Sequence, residues 1–156
     1  MQVYLLAVGK RVPTWVETGY REYAKRLQGD VTLSLIEVPA CRRSSKVPKA
    51  SILREEGRRL LAAVPRGAWV VALDRHGTQW DSAKLSEQLQ EWMGRFQTVA
   101  MLIGGAEGLD PTCLDKADQM WSLSPLTLPH ALVRTVVAEQ LYRAWSMVNN
   151  HPYHRG

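Results

Sequence analysis

The densest chemistry in this chain lies at 150–155, Asn-His-Pro-Tyr-His-Arg. Two imidazoles, a phenol and a guanidinium within six positions can exchange protons, stack on a base and bind phosphate or a developing anion. In an arbitrary protein such a segment is a frayed tail with accidental polar residues. Here the concentration of reactive groups favours a tail that reaches into a site. Pro152 biases His151 toward extended backbone, which predicts that the preceding helix stops there and the tail projects.

Two other segments have compositions unusual for plain connections. Gly104-Gly105-Ala106-Glu107-Gly108 lets a ligand approach the backbone closely. It is neither GxGxxG nor a P-loop. Glu107 puts negative charge where a pyrophosphate would sit, so a neutral or cationic nucleoside fits better than NAD or ATP. Taken alone, the loop is equally a tight strand-to-helix turn. Ser124-Pro125-Leu126-Thr127-Leu128-Pro129-His130 is too apolar for a solvated loop and is stiffened by two prolines. It would make the wall of an adenine pocket, or a loop buried by its neighbours. Asp74 and Asp81 read as a strand-end turn and a helix cap, and no metal site is expected. No Ser-His-Asp order with a nucleophile elbow is present. Cys41 and Cys113 lack metal-ligand spacing and read as reduced thiols, which favours a cytoplasmic protein.

The elements that must position these groups are legible as alternating patterns. Val3–Val8 is a continuous apolar run, as in a strand buried on both faces. Thr14 and Glu17 have capping-box spacing, and Val16, Tyr20, Tyr23 and Leu27 share a helix face. Val31, Leu33, Leu35 and Val38 alternate as a strand. A basic, proline-bounded stretch follows at 39–49. Next comes a helix with Leu53, Gly57, Leu60, Leu61 and Val64 inward, then a strand over 68–73. Asp81 or Ser82 caps a helix striped by Leu85, Leu89, Trp92, Met93 and Phe96. A strand over 98–103, a short helix opened by Asp110-Pro111, a strand near 121–123 and a long helix over about 132–149 complete the chain. The alternation predicts an α/β fold, a parallel sheet with helices on both faces. Ligands in such sheets bind beyond the carboxyl ends of strands, where the loops after Leu73, Ile103 and Leu123 lie.

A chain of 156 residues suits a single domain spanning 1–156. No run approaches a membrane span, and the first residues lack a signal-peptide pattern. Residues 1–66 hold 13 Lys and Arg against 6 Asp and Glu, whereas 67–156 hold 7 against 9. That asymmetry points to a polyanion-facing region, or equally to a solvated basic surface.

Taken together, several segments resemble the small SPOUT-class methyltransferases that modify N3 of a pseudouridine in large-subunit ribosomal RNA. The resemblance is carried by Leu-Leu-Ala-Val-Gly-Lys at 5–10, Leu-Ile-Gly-Gly-Ala-Glu-Gly-Leu at 102–109, Trp-Ser-Leu-Ser-Pro-Leu-Thr-Leu-Pro-His at 121–130, Glu-Gln-Leu-Tyr-Arg-Ala-Trp-Ser at 139–146 and the tail. Ala106 departs from the family's usual proline. The resemblance implies a C-terminal trefoil knot, which general topology rules treat as a rare exception. It implies S-adenosylmethionine held by Leu73, Gly104, Gly105 and the segment Leu123, Ser124, Pro125, Leu126, Thr127, Leu128. It also implies a homodimer in which one subunit's tail completes its partner's site.

The chemistry implied assigns roles to the tail. His154 would accept the imide proton, Arg155 or Arg143 would stabilise the resulting anion, and Tyr153 would stack on or orient the base. Lys10, Arg11, Arg21, Lys25, Arg42, Arg43 and Lys46 would hold ribosomal RNA phosphates. Two other classes compete: a non-catalytic ribosome- or RNA-binding protein, and a ribonuclease using His130, His151 and His154.

Overall fold

The computed structural model describes residues 1–155. Five strands, β1 (Gln2–Val8), β2 (Thr32–Val38), β3 (Trp69–Gln79), β4 (Thr98–Ile103) and β5 (Gln119–Ser122), form one sheet in the order β2-β1-β4-β3-β5. Every pairing is parallel. The two uninterrupted apolar runs, β1 and β4, lie side by side inside the sheet, because only strands covered on both faces need no polar alternation.

Helices α1 (Thr14–Ala24), α3 (Ser82–Arg95) and α5 (His130–Val148) cover one face, burying Tyr20, Leu85, Leu89, Trp92, Val137 and Leu141 against Val3, Leu5 and Met101. Helices α2 (Lys49–Ala63) and α4 (Pro111–Lys116) cover the other, where Leu60 and Cys113 meet Leu6, Val8 and Leu102. Each fully buried leucine contributes roughly 1.5–3 kcal/mol of transfer free energy. Among the described residues no helix is long and apolar enough to cross a membrane.

The caps at Asp81 and Asp110 form as expected: Asp81 Oδ1 accepts from the Lys84 N–H at 2.7 Å, and Asp110 Oδ2 from the Thr112 N–H at 3.0 Å. The Thr14–Glu17 capping box does not form. Pro13 occupies the cap position and its carbonyl accepts from Val16 and Glu17, so Thr14 is already inside the helix. The inner face of α2 is also rotated from expectation, with Ile52 and Glu56 fully inward and Leu53 and Leu61 only half-buried. Strand β3 runs past Asp74, its ladder with β5 slipping between Leu73 and Thr78. Helix α5 begins at His130, two residues earlier than the periodicity implied, and is buried on most sides.

The end of α5 departs most from the sequence reading. The stop is made by Asn150, in the left-handed region at φ 54°, and not by Pro152. The Asn150 N–H donates to the Met147 carbonyl at 3.5 Å and the His151 N–H to the Ser146 carbonyl at 2.8 Å, the paired bonds of a Schellman termination. The tail then folds back as a 3-10 turn over Pro152–Arg155 and does not project.

Candidate active site

A cavity of about 420 Å³ opens beyond the carboxyl ends of β3, β4 and β5. That volume lies within the roughly 300–1,000 Å³ of small-molecule sites. The sheet order makes these three ends neighbours, so three segments distant in sequence converge. Leu73 through His76 form one side and Gly104 through Leu109 the floor. Leu123, Ser124, Leu126, Thr127 and Leu128 form the other wall, with His130 and Val133 at the start of α5. Pro125 is exposed and off the lining. Leu126 is 72% exposed at the rim, an apolar surface available to a ligand's ring.

The glycines act differently from the sequence reading. A Cβ on Gly104 would collide with the carbonyl of Gly108, in its own loop. Gly108, at φ 83°, donates its N–H to the Gly105 carbonyl at 3.0 Å. The loop is therefore folded on itself, and its glycines make that closure possible. A Cβ on Gly105 would press on Val8 at 3.1 Å and on Glu56 Oε1 at 3.2 Å, toward the core and away from any ligand.

Glu107 is also less available than the sequence implied. It lies 3.7 Å from Arg43 and 3.8 Å from Lys49. Arg43 reaches Glu56 at 3.8 Å as well, and Glu56, 2% exposed, accepts the Cys41 N–H at 3.0 Å. The basic stretch before α2 is thus strapped over the glycine loop by Arg43, while Arg42 and Lys46 remain exposed. Lys10, Arg11 and Arg21 are exposed around the same end of the sheet, whereas Lys25, past the last residue of α1, is exposed at the opposite end, where Arg26 meets the tail. Arg21 pairs with Glu17 and Lys25 with Glu22, surface contacts weak enough to yield to a phosphate.

Two imidazoles border the cavity. His76 Nδ1 lies 3.1 Å from Asp74 Oδ2, which also accepts the His76 backbone N–H at 2.9 Å; both residues lie within β3 and not in the strand-end turn expected at Asp74. Desolvation, with the Arg134 and Arg43 guanidinia facing it, holds the His130 imidazole below its usual range, against a smaller opposing pull from Glu56. We expect an NMR titration to place the His130 midpoint below ~6.5, so the ring is neutral at pH 7. The sign follows for stability: the unfolded chain takes up this proton more readily, so protonation of His130 disfavours the fold as pH falls through the unfolded value. A midpoint above 6.5 would contradict this environment.

The tail cluster forms elsewhere. Glu139, Arg143 and Ser146 fall on one face of α5. Tyr153 Oη donates to Glu139 Oε1 at 2.9 Å, and Arg143 makes two bonds to the same oxygen at 2.7 and 3.0 Å. The Arg143 guanidinium lies 5.1 Å from the Tyr153 ring centroid. Burial raises the Tyr153 phenol well above its usual range, reinforced by the neighbouring Tyr23 and by the hydrogen bond to Glu139, so it stays protonated. The single Ser146 hydroxyl proton is directed at the Arg143 carbonyl at 2.7 Å. The 3.3 Å contact with His154 is then an Nδ1–H donating to Ser146 Oγ, which leaves His154 Nε2 unprotonated in the neutral ring. From Val133 at the cavity to Ser146 is thirteen residues of helix, about 20 Å at ~1.5 Å each. Within one chain, the cofactor-side residues and the tail residues are therefore not brought together.

The sequence reading missed Arg134. It is 1% exposed, donates to Glu37 at 2.6 Å and to the Gly9 carbonyl at 2.6 Å, and pins the start of α5 to the end of β1. The signal was an arginine between Val133 and Thr135 in an otherwise apolar turn. Among the described residues, no group of three or more His, Cys, Asp or Glu side chains is placed to hold a metal.

Comparison with known proteins accords with this arrangement. A family model described as "Predicted SPOUT methyltransferase" matches residues 1–154. Among solved structures, a probable methyltransferase from Bordetella pertussis Tohama I superposes with a TM-score of 0.56 at 18% identity, covering 91% of this chain and 95% of its own. A protein from a structural study of 2-OH methylation of C/U34 on tRNA gives 0.52 at 22% identity, over 94% and 97%. A probable methylase family protein from Haemophilus influenzae Rd KW20 gives 0.51 at 16% identity, over 97% and 69%. At these identities the structural matches carry the fold alone.

Proposed function

The chain belongs to the SPOUT methyltransferase family, and from that premise we propose that it transfers the methyl group of S-adenosylmethionine to N3 of a pseudouridine in large-subunit ribosomal RNA. The observation that carries the reading is the cavity where the ends of β3, β4 and β5 converge. Its apolar walls at Leu73, Leu126 and Leu128 suit an adenine ring, and the backbone of the three loops offers donors and acceptors. Bound there, the cofactor supplies an electrophilic methyl on a sulfonium.

The remaining chemistry falls to side chains. The target imide must lose its N3 proton, and His154 Nε2 takes it. The anion left on the flanking carbonyls is met by Arg155, which is exposed and forms no ion pair among the described residues, more readily than by Arg143, whose charge Glu139 already neutralises. Tyr153 stacks on the base. Because about 20 Å of helix separates the cavity from the tail, the complete site belongs to a homodimer in which each tail serves the partner's cavity. The knot belongs to the same proposal. After β5, at the sheet's edge, the chain crosses the ends of β3 and β4 and reaches the end of β1 through Arg134.

Labelled-methyl transfer to ribosomes from cells lacking this protein, followed by mapping of the label, tests the function. Label at N3 of a pseudouridine is expected; label at another RNA atom overturns the N3 assignment, and absence of label overturns methyl transfer. The ribonuclease alternative would need the same crossing of tails, because within one chain His130 opens α5 and His154 packs on Ser146 sixteen residues further along the helix, about 24 Å away; cleavage of RNA without the cofactor would favour it.

The phosphate-binding role is tested with Arg42→Ala/Lys46→Ala. Arg43 is left out because it contacts the glycine loop. The double variant should keep cofactor affinity and lower the salt slope of ribosome binding by ~0.7–0.9 per lost phosphate contact. An unaltered slope removes this stretch from the RNA surface.

A further inference from the structure

The segment between Pro39 and Pro48 lies against the floor of the cofactor cavity and also carries charges that face solvent. It forms no helix or strand. Its backbone is held by the Cys41 N–H bond to Glu56 Oε2, by Arg59 Nη1 donating to the Pro39 carbonyl at 2.8 Å, and by a turn in which the Val47 N–H donates to the Ser44 carbonyl at 3.2 Å. A segment with so few backbone bonds opens at low cost. Its basic side chains divide. Arg42 and Lys46 are exposed and form no ion pair among the described residues, so phosphates can reach them. Arg43 instead bridges two carboxylates, Glu56 beneath the glycine loop and Glu107 within it.

That bridge supports the cavity floor. Glu56 Oε1 is shielded from solvent and has no hydrogen-bond partner, and a Cβ on Gly105 would lie 3.2 Å from it, so the glycine loop rests on this carboxylate. Among the described residues, Arg43 is the one cation paired with it. Yet the Arg43 contacts, 3.8 Å to Glu56 and 3.7 Å to Glu107, are longer than hydrogen bonds, as is the 3.8 Å contact of Lys49 with Glu107. The bridge is in place but not drawn tight: a movement of about 1 Å would bring each contact to the usual ~2.9 Å.

We propose that Arg43 is a positioning residue through which RNA binding tightens cofactor binding. The proposal rests on the RNA methyltransferase reading. Phosphates held by Arg42 and Lys46 order the segment and draw Arg43 onto Glu56 and Glu107. The glycine loop is then fixed before the cofactor arrives, and the cofactor no longer bears the cost of ordering it.

The test follows labelled S-adenosylhomocysteine, which binds without reacting, by equilibrium dialysis with and without ribosomes from cells lacking this protein. Ribosomes should tighten its binding to the native protein by about tenfold, within the usual range for coupled sites. Linkage is reciprocal, so saturating S-adenosylhomocysteine should tighten ribosome binding by the same factor. Arg43→Gln should bring the factor to about one in both directions. Glu107→Gln, which cuts the other end of the bridge at the cavity's rim, should do the same and serves where Arg43→Gln does not fold. A role confined to propping the floor would weaken the free and the ribosome-bound protein alike and leave the factor at its native value, which overturns the coupling. A factor of one in a native protein that binds both ligands also overturns it. So does a factor below one, which would mean that phosphates pull Arg43 and Lys49 away from Glu107. Methyl transfer by the native protein is scored separately. Methylation with a factor of one sinks this proposal alone, and a native protein that binds no ribosomes or no S-adenosylhomocysteine sinks the methyltransferase reading and the coupling with it.

Discussion

Gly104→Ala should abolish detectable S-adenosylmethionine binding while leaving the sheet intact. The reason is internal to the loop. The added Cβ would meet the Gly108 carbonyl, and backbone cannot swing aside as the end of a long side chain can. The turn that holds Gly108 against Gly105 must open, and the floor of the cavity moves with it. Gly104 follows the last residue of β4, so the displacement lies beyond the carboxyl end of the sheet and leaves the strand pairings in place. The stability loss should stay within the ~1–3 kcal/mol usual for forced overpacking. Calorimetry with the cofactor should show at least a hundredfold weakening, and circular dichroism an unchanged fold. Gly94→Ala is the control. Nothing lies within 4 Å of its added Cβ on α3, so it should bind cofactor normally and gain about 0.5–1 kcal/mol from helix propensity. Native cofactor affinity in a folded Gly104→Ala protein would take the glycine loop out of the site.

Much of this architecture was legible because the chain's local preferences and its tertiary fate agree. The β1 run read as a doubly buried strand and is so, and the strand read over 98–103 forms beside it as β4. Asp81 and Asp110 read as caps and bind the backbone N–H groups that caps bind. The three strand-end loops read as the ligand face, and the structure gathers them around one cavity. What was not legible depended on partners remote in sequence. Arg134 looked like a polar interruption of the α5 stripe, and only the approach of β1 and Glu37, nearly a hundred residues away, makes it a buried tie. Glu56 faces inward on α2 because Cys41 and Arg43 fold over it, which no helical period could reveal. The glycine loop was read for what it admits from outside, whereas its tightest constraint comes from its own backbone. At the tail, Pro152 drew the inference that Asn150 carries out: asparagine tolerates the left-handed region, and a Schellman end sends the chain back along its helix.

That return sets the last expectation. A chain ending at His151 keeps both bonds that terminate α5 and loses Tyr153, His154 and Arg155. It should fold, bind S-adenosylmethionine with native affinity and transfer no measurable methyl. His154→Ala, which leaves the rest of the tail in place, should lower turnover by roughly 10²–10⁴ if its Nε2 is the base, with cofactor affinity unchanged. A loss below tenfold would give the proton to another acceptor, with the neutral His130 at the cavity the next candidate. Mixing truncated subunits with Gly104→Ala subunits then separates the two geometries. Neither homodimer has a complete site. In the heterodimer, the truncated subunit has a sound cavity and the Gly104→Ala subunit an intact tail. If tails cross, one complete site forms and activity returns to about half the native value per dimer. If tails act on their own subunit, each has one broken half and the mixture stays inactive. The 20 Å of α5 between cavity and tail argues for crossing, because service within one chain requires the 3-10 turn to leave Tyr142 and Ser146 and span the length of the helix. Inactive heterodimers, isolated through separate affinity tags on the two subunits, would refute the composite site.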